Sequence, residues 1–403
     1  MSKLEIRSAT DEELPLVGRR SSRQMGLSPN NFTGMSPNWT LCGFVDGQLA
    51  TTYAAWPLQI RFNGNAVPMA GVTWVSTHAA YRRQGNLRAI TMRHFEEIHE
   101  SRTAAFAGLH PAWVEIYQRY GYGLITERRS YRVAPADLRF AHPLAIAGSI
   151  RELDLETEFG VMVDVYRRYR EDRTGLVHRG RAMWDAGPLA PPPPGFARTI
   201  LAYEEGGAAL GYAVILTGPG PDLGRAAPPL VLRVQDFFAL GPQAAQALWT
   251  VIGGYDNVRE IQWTNAAPDD PLPRTVVEPR LLNITVRDGI MVRIVNVDDA
   301  LTLRPYAAPA TLRFDLIDGV CEWNRGGWRL SADEIGSEVQ RDNTGSPDIT
   351  LRADTLASIV WGHMSATAAA DAGLVEVHDQ RALPRWDAAM RTKHPPHEAE
   401  HTW

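Results

Sequence analysis

Between Gly71 and Ile90 the chain sets two arginines, a glutamine and a glycine, Arg82-Arg83-Gln84-Gly85, shortly after a β-branched run and directly before a stretch of apolar residues spaced among polar ones. Residue types in that order can hold a phosphate. The first amides of a helix lack intrahelical partners, the helix dipole favours an anion, and a glycine lets oxygens approach the backbone. The two guanidinium groups carry enough charge for a pyrophosphate. The dinucleotide fingerprint needs Gly-x-Gly-x-x-Gly with an acid about 20 residues on, and the ATP loop needs Gly-Lys-Ser/Thr; neither occurs in this stretch. The alternative for the same residues is a surface turn before an ordinary helix.

The elements that would position this loop are legible on both sides of it. Val72, Thr73, Val75 and Thr77 predict a strand, and Leu87, Ile90, Met92 and Phe95, with no Gly or Pro between them, predict a helix. Residues 104–125 repeat the arrangement: an apolar strand runs to Pro111, a short helix carries Ile116, Tyr117 and Tyr120, and Gly121-Tyr122-Gly123 ends it. A tyrosine there is either a core aromatic whose hydroxyl finds a partner or a phenol able to donate a proton. Trp74, next to Val75, is a candidate wall of a binding pocket, and strand alternation leaves a core role equally open. His78 and His110 flank the two segments and are read as packing or hydrogen-bonding residues.

Arg82-x-x-Gly85-x-Leu87 resembles the Arg/Gln-x-x-Gly-x-Gly/Ala pyrophosphate loop of the GNAT acetyltransferases, with Leu87 departing from the Gly/Ala position. Ile116-Tyr117 followed by Gly121-Tyr122 is similar to the second characteristic unit of that superfamily.

The composition bounds the remaining possibilities. At 403 residues and 44.6 kDa, with 44% hydrophobic and 22% charged residues, the chain fits two or three domains of an ordinary globular protein. A net charge of −5 argues against nucleic acid as the main partner. The two cysteines, Cys42 and Cys321, lack a metal-ligand spacing and suggest a reducing compartment without a disulfide framework. The N-terminus lacks an apolar signal core, and no run reaches the roughly 18 apolar residues of a membrane span. The expectation is a cytoplasmic protein with no metal, no nucleic-acid partner and no membrane contact.

Three segments are expected. Residues 1–140 hold both motifs: Leu4–Ala9 forms a first strand, the acids from Asp11 open a helix, and Asp46-Gly47 and Asn63-Gly64 turn two hairpins. Residues 141–295 carry a helix over 153–170 and a stiff Pro-rich loop at 187–195. Strands at 198–203, 211–216 and 230–239 and a helix from Gly241 complete that segment. Its strand-to-helix turn, Phe238-Ala-Leu-Gly-Pro242, has no arginine, and Pro242 removes an amide that could face a phosphate. This segment reads as a GNAT-like domain without a CoA site. Residues 296–403 offer strands at Arg304–Tyr306, 312–316, 327–330 and 349–353, then helices, and resemble a sterol-carrier-like domain. A polar tail closes on Trp403, an aromatic that a disordered end seldom carries.

Taken over the whole length, the chain resembles the Eis (enhanced intracellular survival) family of GNAT acetyltransferases. The resemblance rests on Val75-x-Thr77, Tyr81-Arg-Arg-Gln-Gly-Asn-Leu-Arg88, Ile116-Tyr117, Gly121-Tyr122-Gly123, Val292-Arg293-Ile294 with Ala300-Leu301, and the terminal aromatic. It implies an α/β (α+β) architecture of tandem GNAT mixed sheets followed by a sterol-carrier-like domain, assembled as a hexamer. It implies acetyl transfer from acetyl-CoA to a primary amine in a ternary complex, with polycationic small molecules such as aminoglycosides as acceptors. By the same resemblance Val75 and Thr77 pair with the pantetheine arm, and Arg82, Arg83, Gly85, Asn86, Leu87 and Arg88 surround the pyrophosphate, although Arg88 is as readily a solvated side chain. Tyr122 protonates the departing thiolate. The α-carboxylate of Trp403 acts as base or as electrostatic anchor, with Glu400 nearby and Trp74 as pocket wall. No cysteine or serine carries a nucleophile signature, so no acetyl-enzyme is needed. The alternative is a lipid or apolar-ligand binding module with a vestigial CoA site.

Overall fold

The computed structural model describes residues 3–26, 34–220, 229–333, 335–342 and 344–400. Through residue 125 the elements are β1 (Leu4–Arg7), α1 (Leu14–Met25), β2 (Cys42–Val45), β3 (Gln48–Phe62), β4 (Asn65–Thr77), α2 (Asn86–Ser101), β5 (Phe106–Leu109), α3 (Val114–Gln118) and β6 (Gly123–Leu124). The two hairpin turns fall where asparagine, aspartate and glycine accept positive φ, at Asp46-Gly47 and Asn63-Gly64.

Next come β7 (Glu127–Val133), β8 (Ser149–Glu152), α4 (Leu155–Arg170), α5 (Arg181–Ala186), β9 (Ala197–Glu205), β10 (Ala208–Pro219), β11 (Leu230–Ala239), α6 (Pro242–Gly253), β12 (Val258–Ala266), α7 (Leu272–Thr275) and β13 (Thr285–Asp288). The last third holds β14 (Met291–Ile294), α8 (Val297–Thr302), β15 (Ala310–Ile317), β16 (Gly326–Ala332), β17 (Ser337–Arg341), β18 (Ile349–Arg352), α9 (Ala353–Val360), α10 (Ala366–Asp371), β19 (Val375–Val377) and α11 (Ala382–Met390).

Three sheets result, ordered β1-β2-β3-β4-β5-β14-β6, β13-β7-β12-β11-β10-β9-β8 and β17-β16-β15-β18-β19. The first two are mixed: β4 runs parallel to β5, and β11 parallel to β12, while their other neighbours are antiparallel. Each carries its own apolar core, one built around Ile90, Phe95, Tyr122 and Met291 and the other around Leu232, Leu248 and Trp263. The mixed α/β architecture of two such sheets and a following five-stranded α+β segment is the one the sequence predicts.

Two strands lie outside their expected segments. β7 falls within 1–140 yet pairs with β12 and β13, whereas β14 falls within 141–295 yet completes the first sheet between β5 and β6. The chain accordingly divides into two compact units. Among the described residues, one joins the chain up to Ile125 with Gly289–Thr392, and the other joins Thr126–Asp288 with the stretch 393–400. The expected strand at Arg304–Tyr306 is irregular. Arg304 is instead buried and donates to the carbonyl of Val360 at 2.6 Å and to that of Ala389 at 3.3 Å, satisfying helix-end carbonyls of α9 and α11.

Candidate active site

The phosphate-binding recipe is built as a loop of strained backbone. After β4 the chain passes through a 3-10 turn at Ala79–Tyr81, then Arg83 at φ +62° and Gly85 at φ +83°, and α2 begins at Asn86. The first helical hydrogen bond runs from the Ala89 amide to the Gly85 carbonyl at 3.0 Å, so the helix itself leaves the amides of Asn86, Leu87 and Arg88 unused. Nothing lies within 4 Å of the position a Cβ would take on Gly85, which leaves the backbone open to an approaching anion. The Asn86 side chain turns inward and donates to the Tyr81 carbonyl at 3.2 Å, closing the loop from behind. Arg82 folds back onto the Thr77 carbonyl and Gln24, at 3.0 and 2.8 Å, while Arg83 and Arg88 are exposed. Three free amides, a glycine with open space and two exposed guanidinium groups fit the pyrophosphate of acetyl-CoA.

The strand leading into that loop is splayed from its parallel neighbour. β4 pairs with β5 only over Met69–Gly71 and then continues alone on that side to Thr77. Its other edge stays in register with β3 apart from a bulge, where Thr52 faces Ser76 and Ala54 faces Thr73. Trp74 and Val75 thus stand opposite Tyr53 alone. Trp74 takes φ +56°, a left-handed conformation that costs a bulky residue roughly 1–3 kcal/mol and that clusters at functional sites. Thr52 donates from its hydroxyl to the Trp74 carbonyl at 2.7 Å, holding the bulge. Expected as a pocket wall, the Trp74 ring lies in the core with Val17, Phe44, Leu49 and Ala54 and is 2% exposed. The free edge at Val75 and Thr77 is available for β-strand-like pairing with an extended ligand.

Tyr122 follows Gly121, whose φ of +79° ends α3 and whose missing side chain leaves room for the Arg293 guanidinium. Arg293 is on β14, and its charge is paired with Asp318 in the interior. The Tyr122 ring is 1% exposed and packs against Phe95 and Tyr117, each with centroids 5.9 Å away. Loss of water raises the pKa of its hydroxyl well above the ordinary phenol range, Tyr117 adds to this, and the nearby Tyr53 hydroxyl and the Arg293 charge pull the other way. The phenol therefore keeps its proton at neutral pH and can deliver it. Val75 and Leu87 pack onto the core cluster that holds Tyr122, so one apolar core supports the strand edge, the helix start and the phenol.

Sequence reasoning gave no site role to three residues that the fold brings here. Tyr53 lies opposite the bulge, and its hydroxyl meets the imidazole Nδ1 of His94 at 2.8 Å. Arg293 acts on Tyr122 from β14, and Asp318, beyond β15, pairs with Arg293. No local pattern joins residues so far apart in the chain.

Among the described residues, the second unit lacks this constellation. Its turn before α6 runs through Gly241 with Pro242 at the helix start, so one amide is missing and no arginine stands beside it. Arg179 is buried there and donates to Asp236 at 2.6 Å and to Glu400 at 2.6 Å. The tail is held further by Asn265, which contacts the Ala399 carbonyl, and by the His397 amide, which donates to the Thr174 carbonyl at 2.9 Å. Glu400, expected beside the acceptor amine, is thus 4% exposed with its carboxylate engaged inside this unit. Trp403 lies outside the described residues.

Comparison with known proteins gives this geometry its setting. Residues 5–125 and 175–294 each match an acetyltransferase (GNAT) domain family, and residues 297–398 match a sterol carrier protein domain. The N-acetyltransferase Eis of Mycobacterium tuberculosis is 30% identical over 84% of this chain and 82% of its own. An uncharacterized N-acetyltransferase of Streptomyces avermitilis is 30% identical over 83% of this chain and 82% of its own. Among solved structures, a GCN5-related N-acetyltransferase from Anabaena variabilis superposes with a TM-score of 0.86 at 21% identity, covering 99% of this chain and 100% of its own. Eis1 from Mycobacterium abscessus superposes at 0.83 and 24% identity, covering 98% and 99%. The splayed β4, the arginine-glycine loop and the sequence relatives together make this chain an acetyltransferase that uses acetyl-CoA as co-substrate, a member of the Eis-like family of GNAT N-acetyltransferases.

Proposed function

We propose that this chain moves the acetyl group of acetyl-CoA directly onto a primary amine of a small polycationic molecule, aminoglycosides being representative acceptors. The carrying observation is the convergence of Val75, Leu87 and Tyr122 on one core cluster in the first unit. The pantetheine arm lies along the free edge of β4, and the pyrophosphate lies over Gly85 and the α2 start, flanked by Arg83 and Arg88. The neutral amine attacks the thioester carbon, the carbon–sulfur bond breaks, and Tyr122 passes its proton to the leaving sulfur. The α-carboxylate of Trp403 accepts the amine proton or anchors the cationic acceptor. A free α-carboxyl is a weak base, with a pKa of about 3.5, so the first role requires burial to raise it. Trp74 contributes its bulged backbone, and Glu400 contributes by fixing the tail. Hexameric assembly follows from the family resemblance, and cytoplasmic residence from the cysteine usage and the polar N-terminus.

The test follows release of the CoA thiol from acetyl-CoA across a panel of monoamines, diamines and aminoglycosides. Thiol release that depends on the amine and rises with its positive charge is expected. Absence of turnover with every amine, together with tight binding of a fatty acid or sterol, would establish the chain as an apolar-ligand module instead.

A further inference from the structure

The second unit repeats the plan of the first sheet and fills its opening differently. Taken from its far edge, the order β8-β9-β10-β11-β12-β7-β13 matches β1-β2-β3-β4-β5-β14-β6 place for place, so β11 and β12 stand where β4 and β5 stand. They diverge in the same way. β11 pairs with β12 from Leu230 to Val234, and the two strands then run on separately to Ala239 and Ala266. Even the bulge recurs: Val234 faces Ile215 and Asp236 faces Val214, which leaves Gln235 unmatched.

The stretch 393–400 bridges these diverged ends. On β12, the Asn265 side chain donates to the Ala399 carbonyl, and the Asn265 carbonyl accepts from His397 Nε2 at 3.2 Å. On β11, Asp236 holds Arg179 at 2.6 Å, and Arg179 in turn holds Glu400 at 2.6 Å. The rings of Tyr166 and Trp184 flank that guanidinium, 4.2 and 4.7 Å away, and fix where it points. A Cβ on Gly175 would come within 2.5 Å of the His397 carbonyl oxygen, so the groove is cut to the backbone of the tail. Ala399 packs in the cluster of Trp184, Tyr212 and Phe238, and residues 396–400 are all buried. Chain ends fray unless something ties them down, and here side chains from both strands do so.

We propose that the splay of β11 and β12 is a peptide-binding cleft whose ligand is the acidic C-terminal segment of this same chain. The comparison with a cofactor cleft rests on reading the β4 splay as the seat of the pantetheine arm. The chemistry of the cleft fits the exchange of ligands. The turn before α6 offers a phosphate no arginine and one amide too few, whereas Arg179 offers a carboxylate a fixed, charged donor. Recognition is specific at three positions: an acid at 400, a small residue at 399 and a ring donor at 397. The second unit thereby serves as a fixture for the tail instead of a second catalytic centre.

The test uses the full chain with a site for a sequence-specific protease inserted between Arg391, which is exposed, and Thr392. The folded protein is cut there and passed through gel filtration, and the fractions are analysed by mass spectrometry. The fragment is expected to co-elute with the body one to one, and a labelled peptide of residues 393–403 should exchange into its place. The same peptide carrying Glu400→Gln should compete at least about tenfold less well, because it gives up a charge-assisted hydrogen bond. Peptide variants leave the body untouched, so misfolding cannot produce that result. Hydrogen exchange on the uncut, unmodified chain gives a second reading that needs no inserted site. The His397 amide, which donates to the Thr174 carbonyl, should be protected, and Asn265→Ala should lose much of that protection. A fragment that leaves the folded body during gel filtration would overturn the cleft. So would a Glu400→Gln peptide that competes as well as the parent, or a His397 amide that exchanges as in a free peptide. A retained fragment in a protein that transfers no acetyl group would instead overturn the acyl-transfer reading and leave the cleft standing.

Discussion

Arg293 and Asp318 form an ion pair with no exposed surface, and the Arg293 guanidinium occupies the space that a side chain on Gly121 would need. The pair therefore joins β14 of the first sheet to the segment after β15 at the residue preceding Tyr122. Asp318 is fully used: its other oxygen accepts from the amides of Val320 and Cys321, both at 3.0 Å. Breaking such a pair leaves a charge buried without compensation, at about 3–5 kcal/mol. Asp318→Asn is predicted to lower the melting temperature sharply and to reduce acetyl transfer through the displaced Gly121–Tyr122 backbone. Adding Arg293→Met should recover much of the melting temperature, because no unpaired charge then remains. Calorimetric melts of the two variants check this, and a double variant no more stable than the single would show that the pair itself is not the source.

The loop prediction concerns binding rather than chemistry. Arg83 is exposed, Gly85 sits at positive φ, and the three amides at the α2 start await an anion. Arg83→Ala with Gly85→Asp removes one cation, strains the turn and sets a carboxylate where the phosphate belongs. Charge-assisted hydrogen bonds are worth about 1.5–3 kcal/mol, so acetyl-CoA affinity should fall at least about tenfold. Isothermal titration would show it. Titration of the parent should also reach one acetyl-CoA per chain, and two per chain would contradict an inactive second GNAT-like domain.

These predictions draw unevenly on what the sequence discloses. The loop is legible because strand, arginines, glycine and helix are consecutive, and local chemistry decides their arrangement. The missing phosphate site at Pro242 is legible for the same reason. The exchange of β7 and β14 between sheets is not, since strand periodicity says which face is apolar and nothing of which neighbour completes the sheet. Trp74 shows the limit within one strand: alternation places its ring, but the bulge that turns its backbone depends on Thr52 of β3. Tyr53 and His94 are individually ordinary core residues, and only the fold brings the hydroxyl of one to the imidazole of the other.

The tail of the second unit carries a pH signature. Glu398 has no exposed surface, and its pKa is raised to about 8 by loss of water, with Arg128, 3.5 Å away, pulling it back. A carboxyl whose folded pKa exceeds its unfolded value of about 4.3 adds stability at low pH and loses it as pH rises toward 8. His94 and His397, lowered by burial to about 4 and about 3, act in the opposite sense and only below their unfolded value of about 6.5. From pH 6.5 to 8 the Glu398 contribution is no longer opposed by these histidines. Stability should fall across that window, and Glu398→Gln should flatten the fall. Melting temperatures at half-unit pH steps measure it; parallel curves for parent and variant would mean that Glu398 is ionised in the folded chain.

The last prediction tests the C-terminus. Up to Glu400 the tail is held at three points: Glu400 by Arg179, the Ala399 carbonyl by Asn265, and the His397 amide by the Thr174 carbonyl. The stretch up to Glu400 cannot slide back to absorb a residue added after Trp403. One extra glycine keeps the indole and the terminal charge but moves that charge about 3.5 Å along the chain. If the carboxylate takes part in the transfer, a displacement of that size costs about 10²-fold or more, because reacting groups must be placed at the ångström level. The extended protein should fold, melt as the parent does and bind acetyl-CoA with unchanged affinity, yet transfer acetyl groups slowly. Glu400→Gln, which weakens that clamp while Arg179 keeps Asp236, should slow the same step by loosening the tail and should leave acetyl-CoA affinity unaltered. Full activity in the glycine-extended chain would remove Trp403 from the mechanism and leave the clamp at Arg179 a purely structural device.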